Sequence, residues 1–132
     1  MPGTTDLREL LKTMRPVLNE GEYVFCSIPV GKAIDLDLVI GSFKEKEGTT
    51  VILDKVKADN LGLPYTYVAV WITLTVHSSL EAVGLTAAFA TALASADISC
   101  NVVAANYHDH IFVAKHDAKS AMSILKDLSD GN

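Results

Sequence analysis

The chain has 132 residues, of which 49% are hydrophobic and 20% charged, and its formal net charge is -5. A chain of this length buries roughly two-thirds of its unfolded surface, enough for one ordinary domain or two small modules sharing a core. The acidic balance weighs against a nucleic-acid partner, which needs clustered Lys and Arg to displace counterions, and the apolar surplus points to an oligomer or a ligand cavity.

The opening MPGTTDLREL lacks the basic-then-apolar pattern of a signal peptide, so a cytoplasmic protein is expected. No membrane span is expected either. The uncharged stretch Ala82 to Ala96 is interrupted by Thr86, Thr91 and Ser95, and it falls short of the ~20 residues a span needs. Cys26 and Cys100 form no CxxC and sit among apolar residues, where a free Cys serves as a small hydrophobe.

In chain order, Leu7, Leu10, Leu11 and Met14 fall at helical spacing behind Asp6 as a cap, and Pro16 is expected to end that helix. Asn19, Glu20 and Gly21 turn into EYVFCSIP, a strand with Tyr23, Phe25 and Ser27 on one face. PVGKAIDLD reads as a loop. Its Gly31-Lys32 lacks the upstream Gly and the following Ser or Thr of a phosphate-binding loop, so no cofactor is implied. LVIGSFKEKEGTTVIL reads as a β-hairpin turning at Glu47-Gly48, its mixed charges a solvated tip. Asp54 caps a short helix over Lys55 to Asn60, which Gly62 terminates.

The second half opens with TYVAVWITLTV, an apolar and β-branched run that reads as a central strand covered on both sides. Ser78 or Ser79 then suits the N-cap of a helix from Leu80 to Ala96. That helix carries two stripes, Val83/Ala87/Ala90/Ala94 and Leu85/Phe89/Ala92/Ala96; one suffices to cover a sheet, and the second is expected to pack against the N-terminal half or another subunit. ISCNVVAAN is a strand with Ile98, Cys100, Val102 and Ala104 on one face. A turn through Asn106, Tyr107, His108 and Asp109 leads to the strand HIFVAKH, and Asp117 or Lys119 opens a last helix with Ala121, Met122, Leu125 and Leu128 at helical spacing.

Strand, helix, strand, strand, helix over residues 66 to 128 is five of the six elements of a ferredoxin-like unit. The stretches EGTTVIL, HSSLEAVGLTAAFATALA and ISCNVVAANYHDHIFV, with the opening DLRELLKTMRPVLNEGEYVF, strongly resemble the ACT domain, and in particular a family of small uncharacterised bacterial proteins built from two ACT-like modules. The resemblance implies an α+β fold of ferredoxin-like ACT modules, antiparallel sheets with helices packed on one face. The expected modules are residues 1–65, permuted or incomplete because that half starts with a helix, and residues 66–132.

The resemblance further implies regulation by a small-molecule ligand, an amino acid above all, in a protein that is not itself an enzyme and forms a homo-oligomer, a dimer. The alternative is an assembly or adaptor protein using the same fold for protein contacts. The family's ligand loop carries over to Val76, His77, Ser78, Ser79 and Gly84, with Asn101 on the adjacent strand, and Tyr107 and His108 join the candidates from the second turn. Free amides at a helix N-terminus suit a carboxylate. His77 beside Ser78 and Ser79 has the residue types of a nucleophile and base, but adjacent residues rarely align for proton transfer. His108, Asp109 and His110 admit three readings: a metal site, a ligand contact or a structural turn.

Overall fold

The computed structural model describes residues 7–76 and 84–130. The chain divides into two compact units, one made of residues 1–20 and 70–132 and the other of residues 21–69. Each has its own apolar core.

The continuous unit contains β2 (Tyr23–Pro29), β3 (Gly41–Lys44), β4 (Gly48–Asp54), the short helix α2 (Lys55–Asn60) and the first residues of β5 (Val68–Thr75). All pairings in it are antiparallel, in the order β3, β4, β2, β5, with Phe25 opposite Ile52 and Tyr23 opposite Ala69. Alternation puts Val24, Cys26 and Ile28 on the core side of β2, where they meet Val51, Leu53 and Ala58. Asp54 accepts from Val56 N–H at 2.8 Å and so starts α2 as expected. Gly62, at φ 69°, ends it, and the Leu63 amide returns to the Ala58 carbonyl. Where a ferredoxin-like unit has its first helix, residues 30–40 form a loop with a single 3-10 turn at Leu36–Leu38.

The other unit is assembled from two stretches of chain. The first supplies α1 (Leu7–Thr13) and β1 (Arg15–Leu18); the second supplies the rest of β5, α3 (Leu85–Ala94), β6 (Asn101–Ala104), β7 (Asp109–Ala114) and α4 (Ala118–Ser129). Its sheet runs β1, β5, β7, β6. β1 pairs antiparallel with β5, Val17 opposite Thr73, and so takes the place of the sixth element that residues 66–128 lack. Pro16 sits in β1 opposite Leu74, in a strand whose pairing among the described residues is with β5. A proline is tolerated at such an edge because its missing N–H leaves no ladder bond unmade.

The helices of this unit share one core with the sheet. Val70, Ile72, Leu74 and Val76 from β5 and its end meet Ile111 and Val113 from β7, Leu10 and Met14 from the α1 segment, Leu85, Phe89 and Leu93 from α3, and Ala121 and Leu125 from α4. The alternate residues of β5 and β7, Trp71, Thr73, His110 and Phe112, therefore lie on the opposite face of the sheet.

Among the described residues α3 starts at Leu85 with Gly84 as N-cap at φ 96°, a conformation that favours glycine, while the expected caps Ser78 and Ser79 lie outside the described residues. Its buried stripe is Leu85, Phe89 and Leu93, a single i, i+4, i+8 row, while Ala87 and Ala94 are exposed. One row suffices because the remaining faces of a helix on a sheet look outward. At its other end Asp97 takes the left-handed conformation, φ 62°, and the Ile98 amide reaches back to the Leu93 carbonyl at 3.0 Å.

Candidate functional site

The first predicted turn follows β5. Val76 is 4% exposed and its side chain belongs to the core, which leaves only its backbone to meet a ligand. His77, Ser78 and Ser79 lie outside the described residues. Gly84 stands at the head of α3, its carbonyl accepting from Ala88 N–H at 2.9 Å. A Cβ there would come within 3.2 Å of Leu7 Cδ2, so the α1 segment approaches this point closely.

The second turn joins β6 to β7 and closes with Ala105 N–H donating to the His108 carbonyl at 3.1 Å. Tyr107 is 74% exposed. Asn101, opposite Phe112 in the hairpin, makes a long 3.4 Å contact from Nδ2 to the Phe112 carbonyl. The two-residue spacing of His108 and His110 brings their rings together, centroids 6.4 Å apart and nearly perpendicular. His108 Nδ1 is buried and has no hydrogen-bond partner among the described residues. Burial pushes the Asp109 carboxyl up from the ordinary Asp range, with both histidines pulling the other way. Among the described residues no three His, Cys, Asp or Glu side chains are grouped to hold a metal ion.

The polar cluster of this unit lies one step further along β7, where His110 meets Trp71, Thr73 and Asn19, which the sequence did not single out. Trp71 Nε1–H donates to His110 Nδ1 at 3.1 Å. Thr73 Oγ1 lies 3.1 Å from the same nitrogen, and it accepts from Asn19 Nδ2 at 2.9 Å. Asn19 is itself fixed by its backbone N–H, 2.9 Å from the Trp71 carbonyl, and by a 3.2 Å side-chain bond to the same oxygen. An indole N–H is only a donor, so Nδ1 must be the acceptor and the imidazole proton sits on Nε2. Desolvation pushes the His110 pKa down, the neighbouring His108 adds to that, and Asp109 opposes it. The Trp71 ring stacks on Phe112 with centroids 6.3 Å apart and planes 22° from parallel.

Three stretches far apart in the chain, 19, 71–73 and 110, thus form one network. The alternation of β5 could have flagged Trp71 and Thr73 as facing away from the core; their partners depend on a strand pairing that no local pattern reveals.

Two family models, each described as an ACT domain, match this chain, one over residues 2–70 and the other over residues 67–127. The chain belongs to the ACT domain family. Among solved structures, this ACT protein is similar to a protein of unknown function from Vibrio cholerae, described as a possible transport protein, with 48% identity over 95% of this chain and 97% of that one and a TM-score of 0.84. It shares its fold with a protein from Agrobacterium tumefaciens at 14% identity over 88% and 89% of the two chains, TM-score 0.68. The same holds for the ligand-free regulatory subunit of aspartate kinase from Thermus thermophilus, at 10% identity over 89% and 98%, TM-score 0.59. No curated protein matches. The expected family and the α+β fold of antiparallel sheets with helices are both borne out.

Proposed function

We propose that this ACT protein is a regulatory module that binds a small molecule, an amino acid in the first instance, and acts without catalysis of its own. The observation that carries this reading is the pair of ACT matches, which together span residues 2–127. They also support two modules, taken as residues 1–65 and 66–132. The likeness to a regulatory subunit of aspartate kinase adds an analogy of fold.

In this reading the ligand meets His77, Ser78, Ser79, Gly84 and the backbone of Val76 at one turn, with Asn101, Tyr107 and His108 as its other contacts. The exposed Asn101 and Tyr107 and the orphan Nδ1 of His108 have hydrogen-bonding capacity to offer. The protein is a cytoplasmic homodimer in the same reading, and no helix among the described residues is long and apolar enough to cross a membrane.

A thermal-shift panel of the twenty amino acids tests the proposal, because a ligand of the native state raises stability by RT ln(1 + [L]/Kd). One or a few amino acids shifting the transition in a saturable way is the expected result. No shift from any of them would favour the second reading, an assembly protein. Val17, Leu18 and Val103, each more than two-fifths exposed in the unit built on β5 to β7, are the observation behind that reading.

A further inference from the structure

The end of α4 and the segment between α1 and β1 border a cavity of about 300 Å³, lined by Arg15, Pro16, Lys126, Ser129 and Asp130. Arg15 is its fixed member. One terminal nitrogen of the guanidinium, Nη1, lies 2.8 Å from the Lys12 carbonyl, 3.0 Å from the Met14 carbonyl and 2.9 Å from Ser129 Oγ, and it donates to all three. Ser129 is 7% exposed and is held in turn by its own bond to the Met14 carbonyl. The guanidinium is thus anchored through one nitrogen, and no group among the described residues accepts from the other two, Nε and Nη2. Those two form one edge of the planar fork, the geometry that takes a carboxylate through two parallel hydrogen bonds.

Lys126 and Asp130 stand four residues apart at the end of α4, yet among the described residues neither side chain has an ion pair or a hydrogen bond. The lysine-first order is the weaker one for a pair at that spacing. Asp130 also stands at the negative end of the α4 dipole, where a carboxylate is unfavourable and an added cation is favourable. We infer that this cavity takes an amino acid carrying a second carboxylate: one carboxylate on the free edge of Arg15, the other on Lys126, and the ammonium beside Asp130 at the end of α4. The balance of charges decides the class. Against two cations and one anion, a neutral amino acid leaves one cation unmatched, and a plain diacid meets Asp130 with nothing to offset it. A molecule like aspartate or glutamate matches all three. The volume falls at the lower end of the range of about 300 to 1,000 Å³ found for small-molecule sites. Thr75 Oγ1 donates to the Arg15 carbonyl at 2.8 Å, so the cavity adjoins the end of β5, where the first predicted turn begins. The inference rests on the amino-acid reading above and narrows it to one class of ligand.

The test is a calorimetric titration of the whole protein with L-aspartate, L-glutamate, their amine-free analogues succinate and glutarate, and L-alanine. Aspartate or glutamate should bind, with its diacid analogue and alanine about tenfold weaker, the loss of one charge-assisted contact. Lys126→Gln and Asp130→Asn remove groups that have no side-chain partner among the described residues, and melting curves check that both variants keep the fold. Each should weaken the acidic amino acid about tenfold, and Asp130→Asn should also bring the amino acid and its diacid to similar affinities, because the ammonium has lost its partner. A diacid that binds wild type as tightly as its amino acid overturns the inference. So do amino acids that bind with no preference for a second carboxylate, and acidic amino-acid binding that both variants leave unchanged; either result leaves the regulatory reading standing. Absence of any shift from all twenty amino acids in the thermal panel removes both.

Discussion

Ser129 Oγ, near the end of α4, donates to the Met14 carbonyl at 2.6 Å, and the same oxygen accepts from the Arg15 guanidinium at 2.9 Å. The hydroxyl is buried, with Ser129 only 7% exposed, and it ties the last helix to the segment between α1 and β1. Ser129→Ala removes this bond while the Met14 carbonyl keeps the Arg15 guanidinium at 3.0 Å, so the cost should be that of one hydrogen bond, about 0.5 to 1.5 kcal/mol. Urea denaturation should show that loss with little change in the slope.

Phe89 is fully buried in the middle of the Leu85, Phe89, Leu93 row, so Phe89→Ala should cost about 3 to 5 kcal/mol. Ala87 on the exposed side of the same helix is the control, and Ala87→Ser should stay within about 0.5 kcal/mol. Equal effects at both positions would mean that α3 buries a second face.

How far this could be read beforehand divides by the range of the interactions. The α2 helix was legible end to end, because Asp54 and Gly62 act on their immediate neighbours. So was the hairpin turning before Gly48, where a bond joins Glu45 N–H to the Gly48 carbonyl. β1 was not: Pro16 argues locally against a strand, and only the distant β5 supplies its partner. At Gly84 the backbone angle of φ 96° and the nearness of Leu7 to where a Cβ would stand both favour glycine, and the second of these no local pattern reveals. At the site, the spacing of His108 and His110 was enough to pair their rings, whereas Asn19 and Trp71 meet only through tertiary pairing.

Asp97 pays for its left-handed backbone, φ 62°, because its Cβ crowds the carbonyl oxygen. Asp97→Gly should therefore raise stability by about 0.5 to 1 kcal/mol, with part of the gain returned through the freer unfolded chain. A higher melting temperature with an unchanged fold is the expected outcome.

The titration of His110 also predicts how stability follows pH. Its pKa in the folded protein lies below the ordinary 6.5, so the unfolded chain binds more protons over the interval between the two values. The contribution is complete above the unfolded value and is lost as pH falls towards the folded one. The wild type should thus lose stability on acidification below about pH 7, and His110→Gln should lose less over the same range.

Cys100 is shielded enough that its thiol pKa rises from 9.0 to about 11, and burial also raises that of Cys26. Neither supplies much thiolate at neutral pH. Alkylation of the native protein should be slow at both positions and should speed up only when denaturant opens the cores.

The pairing of Tyr23 with Ala69 bears on the order in which the molecule is made. Residues 21–69 have their own core and leave a synthesising ribosome before β7 and α4 exist, so they can fold while α1 and β1 wait. Once they do, the two ends of that segment lie one strand spacing apart, about 4.8 Å. The union of Leu18 with Ile72, a contact between distant residues in the unfolded chain, then becomes the closure of a short loop. The inserted segment is thereby a template that brings β5 to a partner, β1, synthesised long before it.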